Sequence, residues 1–352
     1  MDQWSDKARS DGSAGRGTAP SPQFAAENAV ANEIRIVKAT VAVELSAASP
    51  LLPTLMSQLT VWARSPEIYA VVFSVPSDEA SSVAPDPAAS LAKAALHLQA
   101  LWRIECFAKP SASLLDAPLA GPRGELAVGL AAFGTHRVAG RQFCWSLPQW
   151  PRQGTLPLAG VACKLARLPA GIGRYLALTG TAIGRADANA LGLVTHCIDA
   201  ESFPVIAAAL ADCQPIDPLL DDLHTAPDAA ALPALHEVIA RCFASDKISD
   251  IMAALETETG EHRDWASAAL LAIQQRPPLV LLGLLRLIRT ARTVDTRSSL
   301  IETYRLAVGL AASSHLADAA PSEVTIDHLF AIPEGDDLVL PTRAEIERGR
   351  AG

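Results

Sequence analysis

The stretch RLPAGIGRYLALTGTAIGRADANALGLVTHCID, residues 167–199, decides how the rest of the chain is read. It runs from a strand-end loop into a helix with the pattern G-x-x-x-L-A-L-T-G. A second helix reading A-D-A-x-A-L-G-L-V follows, and then a strand. A loop, two short helices and a strand within 33 residues is the texture of a chain that alternates between sheet and helix.

Working upstream, residues 34–45 (IRIVKATVAVEL) are rich in β-branched residues and predict one or two strands. Residues 51–64 (LLPTLMSQLTVWAR) have helical apolar spacing, with Ser65-Pro66 as the stop. Tyr69 to Val75 is an almost unbroken apolar run, as expected of a strand covered on both faces. After a Ser/Pro/Asp loop at 76–87 come a helix over 88–107, a strand over 111–115, a Gly/Pro turn at 116–124 and a short helix from Glu125. This alternation predicts a sheet of largely parallel strands joined by crossover helices.

Downstream the character changes. From 203 to 312 the pattern is helix after helix, with joints at Pro215, Pro233 and Pro277-Pro278. Residues 247–257, 264–274 and 295–311 read as amphipathic, and the tail 331–352, polar with Pro and Gly, reads as extended. The expected organisation is a tail over 1–30 without fixed structure, an α/β core over 31–202, a helical region over 203–330 and a polar tail over 331–352.

Half of the 352 residues are hydrophobic and 19% are charged, which leaves ample apolar surface to bury and excludes a low-complexity chain. A net charge of −9 argues against nucleic acid as a partner, since that role needs a basic face to displace counterions. The six cysteines form no CxxC pair and read as reduced, buried thiols of a cytoplasmic protein. The eight histidines are scattered, so no metal site is expected. Leu279 to Ile288 is broken by Arg286 and too short to span a bilayer, so no membrane is expected as a partner. The first residues mix acids and bases and contain no apolar segment of the secretory kind.

The 167–199 run resembles the crotonase (enoyl-CoA hydratase/isomerase) superfamily, and within it the 3-hydroxyisobutyryl-CoA hydrolase branch. Ala108-Lys109-Pro110, VGLAAFGTHRVAG at 128–140, CFASDKISDIMAALE at 242–256 and ETYRLA at 302–307 carry the same resemblance. It implies an α/β fold, a ββα spiral core followed by an α-helical C-terminal region. It also implies an acyl-CoA ligand, with no cofactor beyond the coenzyme A of the substrate. Two backbone N–H groups would hold the thioester oxygen as it gains charge, and a carboxylate beyond the second turn would act as base, acid or nucleophile.

Carried over residue by residue, the resemblance meets substitutions. In the first turn Asp86 matches the motif Asp, and the donor position falls on Pro85, which has no N–H. In the second turn Gly121, Pro122 and Arg123 stand for a Gly-Gly-Gly run and Glu125 falls on a hydratase carboxylate. An alignment through VGL instead puts Glu125, Leu126 and Ala127 on the glycines. Gln149 stands where the branch has Glu, and an amide can orient water but cannot take its proton. Counting back from Arg167-Leu168-Pro169, the Asp position falls on Leu158.

Each candidate has a plainer reading. Glu125 suits the first turn of a helix by its charge alone, and Gln149 beside Trp150 is also an ordinary loop amide. Arg123 either meets a CoA phosphate or is solvated. His136 and His196 read as structural, because no Ser or Cys motif accompanies them. Arg286, Arg289 and Arg292 form a basic helical stripe that either binds an anion or faces water.

The resemblance favours a thioester hydrolase acting on a short branched acyl-CoA, a step of valine breakdown. The substitutions favour a catalytically silent homologue that binds CoA esters or serves as an oligomer partner. A hydratase- or isomerase-like enzyme using Glu125 is the third reading.

Overall fold

The computed structural model describes residues 34–44, 51–75, 87–119, 124–147, 156–313, 323–332 and 337–349. The N-terminal tail, Pro85, Asp86, Gly121, Pro122, Arg123 and Gln149 lie outside the described residues, as does the side chain of Glu125. The described residues all belong to the compact unit Glu33–Gly352.

The first strands, β1 (Ile34–Val37) and β2 (Thr40–Glu44), form a hairpin, and α1 (Leu51–Arg64) leads to β3 (Ala70–Ser74). Helix α2 (Pro87–Glu105) connects to β4 (Ser111–Leu115), followed by β5 (Pro118–Leu119) and α3 (Gly124–Leu130). Then come β6 (His136–Ala139), β7 (Cys144–Trp145), a 3₁₀ turn at Pro157–Gly160 and α4 (Ala162–Leu165). The signature stretch supplies α5 (Ile172–Thr179), β8 (Ile183–Gly184), α6 (Arg185–Ala190) and β9 (His196–Cys197).

A six-stranded sheet runs β1-β2-β3-β4-β6-β9, and a three-stranded one runs β5-β7-β8. In the larger sheet only β1 is antiparallel, pairing Ile34 with Val43; β2 through β9 are parallel. The crossover helices anticipated from the alternating pattern are what such parallel pairing requires.

β3 is buried on both faces, as its apolar run predicts. Val71 and Phe73 enter one core with α1 and α2, while Ala70 and Val72 enter a second with Ala112, Leu114 and Val138. That second core is closed by α7 (Phe203–Ala211) and α8 (Ile216–Leu223), through Ile206, Leu210, Ile216 and Leu220.

Two like contacts fasten α8 to the sheet. In β6, His136 places Nδ1 2.8 Å from the Thr135 hydroxyl and Nε2 3.0 Å from Asp217. In β9, His196 does the same with Thr195 (2.9 Å) and Asp221 (3.2 Å). Asp217 and Asp221 are four residues apart and share one helix face. The structural reading of both histidines therefore holds.

The helical region continues with α9 (Leu232–Cys242), α10 (Ile248–Glu256), α11 (Arg263–Gln274), α12 (Pro278–Ala291) and α13 (Thr296–Ala312). It shares its core with the sheet side of the molecule: Leu284, Ile288, Leu300 and Leu306 belong to the cluster that contains Leu98 and Leu101. No single helix among the described residues is long and apolar enough to cross a membrane.

After α14 (Glu323–Leu329) the chain corrects one expectation, that of an extended tail. Residues Arg343–Arg348 form α15, because Thr342 and Glu345 make a capping box that satisfies the first N–H groups of the turn. The segment before it is fastened to the body. Arg305 grips Asp337, Arg297 donates to the Leu340 carbonyl at 2.7 Å, and Trp102 donates to that of Pro341 at 2.7 Å. Leu338 and Leu340 are buried.

Candidate functional site

β3 and β4 are neighbouring parallel strands in register, Val71 opposite Ser111 and Ser74 opposite Leu114. Their C-terminal ends therefore leave the sheet at one edge, and in open α/β sheets ligands bind outside that edge. Both turns that the resemblance assigns to the thioester oxygen start there, one after β3 and one after β4.

The exit of β4 is fixed by Asp116, a residue not singled out from the sequence. Its carboxylate accepts the Gln142 N–H at 2.7 Å, and the Gly140 N–H donates to the Leu115 carbonyl at 2.8 Å. A β-carbon at Gly140 would overlap the Asp116 carboxylate, so glycine is needed at this approach. β5 then pairs with β7, Leu119 opposite Trp145, and Trp145 donates its indole N–H to the Val128 carbonyl of α3 at 3.1 Å. These contacts fasten α3 to the smaller sheet. The helix does open at Gly124, in line with the reading of Glu125 as a first-turn residue.

The Pro157–Gly160 turn packs on α3. Leu158, Ala159 and Gly160 lie one after another in the left-handed region, with φ of 50°, 48° and 79°. For Leu and Ala that conformation costs about 1–3 kcal/mol each. All three are buried, and Leu158 belongs to the main core. Gly160 has no room for a side chain, because a β-carbon there would press on Leu98 and Leu101 of α2. At the position where the resemblance expects an Asp, the structure thus has an apolar side chain turned to packing. Neither Leu nor Ala carries a sequence signal for positive φ, which is why this turn was not legible in advance.

Behind the turn, Lys164 pairs with Glu105 at 3.0 Å and lies 4.6 Å above the Phe133 ring. Cys163 is buried, and desolvation holds its thiol protonated by raising its pKa. Among the described residues no group of His, Cys, Asp or Glu could hold a metal ion.

The signature stretch joins the sheet to the helical region. Gly171 and Gly180, both left-handed, bound α5, and a β-carbon at Gly173 would overlap the Leu165 carbonyl. Every residue of α5 is buried. Arg174 reaches the carbonyls of Phe243 (2.9 Å) and Ala244 (3.0 Å) and pairs with Asp246. Tyr175 stacks edge-on to Phe243 at 5.4 Å and accepts a hydrogen bond from the Trp265 indole at 3.2 Å. At its end, Asp199 is held by Arg141 and Arg185, whose hydrogen bonds pull its carboxyl down to about 2.

Comparison with known proteins agrees with this architecture. Residues 49–324 match the family model described as enoyl-CoA hydratase/isomerase. The chain is similar to a protein named probable 3-hydroxyisobutyryl-CoA hydrolase 2 of Arabidopsis thaliana, 30% identical over 58% of this chain and 54% of that protein. The rat mitochondrial 3-hydroxyisobutyryl-CoA hydrolase is 26% identical over 71% of this chain and 68% of its own length. Small ribosomal subunit protein mS47 of Arabidopsis thaliana is 29% identical over 57% of this chain and 50% of that protein. The chain spans about half the length of the first of these relatives. In fold it is similar to a carnitinyl-CoA dehydratase from Mycobacterium thermoresistibile, with a TM-score of 0.71, 21% identity and coverage of 87% and 97% of the two chains. An enoyl-CoA hydratase from Rhodobacter sphaeroides gives 0.65, 24%, 86% and 97%. With its ββα sheet, its two-sided core and a family match over residues 49–324, the chain belongs to the enoyl-CoA hydratase/isomerase family, the crotonase superfamily.

Proposed function

We propose that this chain binds an acyl-CoA thioester at the carboxyl edge of β3 and β4 and does not hydrolyse it by the carboxylate chemistry of its family. The observation that carries this reading is Leu158, a buried core residue in a strained left-handed turn at the position where the resemblance expects an acid. The turn is held at a conformational cost although its side chain is apolar. Similarity to mS47 supports the same reading, since that relative is named as a ribosomal subunit component rather than an enzyme.

A second reading, hydrolysis of a short branched acyl-CoA in valine breakdown, is favoured by the relatives named 3-hydroxyisobutyryl-CoA hydrolases. Gln149 and Glu125 would then have to orient or activate water, and Arg123, Gly121 and Asp86 would shape the CoA and oxyanion contacts.

The two part in one experiment: thiol release from a panel of acyl-CoA esters including 3-hydroxyisobutyryl-CoA, with thermal unfolding followed in parallel. We expect a raised unfolding midpoint with CoA esters and no release above background. Release that falls sharply in Gln149→Ala would establish the hydrolase reading instead. Water addition to crotonyl-CoA that vanishes in Glu125→Gln would establish a hydratase.

A further inference from the structure

Two arginines of the basic stripe, Arg286 and Arg289, lie in α12 and face a cavity. Leu282, Leu285, Arg286 and Arg289 recur at helical spacing and form one wall. The turn Asp246–Ser249 with Ile248 of α10 forms the second wall, and Ile326 with Asp327 of α14 the third. The cavity measures about 620 Å³, within the range of small-molecule sites.

Its charges are not balanced internally. Asp327 is taken by Arg286, which also lies 4.6 Å from the centre of the Phe330 ring. Asp246 is taken by Arg174. Both lining acids are therefore neutralised by arginines. Lys247 and Arg289 are left exposed, and neither side chain has a partner among the described residues. Apart from the Ser249 hydroxyl, the remaining lining is aliphatic: Ile248, Leu282, Leu285 and Ile326. In a protein of net charge −9, two unpaired cations beside an aliphatic wall form a local inversion of the overall field.

We propose that the cavity between α10, α12 and α14 binds an amphipathic organic anion, its head held by Lys247 and Arg289 and its aliphatic body against Leu282, Leu285, Ile248 and Ile326. Arg289 offers a planar fork suited to carboxylate or phosphate oxygens, and Lys247 adds a second point charge. Arg286 is a fixed part of the wall, since Asp327 and Phe330 already hold it in place. None of these residues belongs to the turns invoked for the CoA ester, so this site stands or falls independently of the proposed function.

The test is calorimetric titration of the full chain with sodium octanoate and with octyl phosphate, beside inorganic phosphate. We expect saturable binding of at least one amphiphile, weakened as salt rises and weakened about tenfold or more in Lys247→Ala/Arg289→Ala. The preferred amphiphile identifies the head group. Leu282→Ser, at a half-buried position, is expected to weaken binding while the unfolding midpoint stays near that of the parent. Three outcomes would overturn the proposal. They are no binding of either amphiphile, equal affinity in the parent and the double variant, and inorganic phosphate binding as tightly as octyl phosphate.

Discussion

Lys109 illustrates what a single side chain does in this molecule. Its ammonium donates to the carbonyls of Trp62 (2.9 Å), Ser65 (2.5 Å) and Ile68 (2.6 Å), which closes the C-terminal end of α1. The Trp62 carbonyl, in the last turn of α1, has no intrahelical partner, and burial lowers the pKa of the amine that serves it. Lys109→Met should cost about 2–3 kcal/mol in urea unfolding, since it removes the Lys109 donor from the Trp62 and Ile68 carbonyls without replacing it. A loss under half a kcal/mol would mean that water satisfies them equally well. The Lys-Pro pair was legible as family resemblance, but its work as a remote cap was not, because nothing in the sequence links 109 to 62. Gly173 is a comparable case. Gly173→Ala drives a β-carbon into the Leu165 carbonyl, for an expected loss of about 3 kcal/mol on thermal unfolding.

At the scale of elements, boundaries followed the apolar pattern closely where a helix or strand buries one regular face. The strand over 111–115 and the helix over 51–64 match residue for residue. The Leu158–Gly160 turn and α15 did not follow from periodicity, one depending on packing against α2 and the other on a cap. Two polar fastenings also lie beyond periodicity. The first is Asp199, whose carboxyl is lowered from 3.8 to about 2 by Arg141 and Arg185. A depressed carboxyl stabilises the fold above its unfolded pKa and loses that effect as pH falls through the folded value. The stability difference between parent and Asp199→Asn should therefore be constant from pH 7 to about 5 and vanish between about 4 and 2. A difference that stayed level down to pH 2 would contradict this. The second is the paired Thr-His-Asp contact to α8, where the His136 hydrogen bond lowers the Asp217 carboxyl. Asp217→Asn/Asp221→Asn should speed amide exchange in α8 and leave α12 unchanged, as local release of one helix requires.

For the molecule as a whole, the fold was readable because one family-like run and a two-sided apolar strand fix an α/β sheet, and the helices after 203 follow from their apolar faces. The chemistry was readable only as a set of substitutions, of which the structure describes Leu158. The C-terminal segment 337–349 carries a consequence of its own. It lies over α2 through Trp102, Glu105 and the buried Leu338 and Leu340, more than two hundred residues later in sequence. On the ribosome, α1 and α2 emerge long before the residues that cover them. Until position 349 has cleared the exit tunnel, the flank of Trp102 is open to chaperones and proteases, so the core closes only after the segment 337–349 has been made.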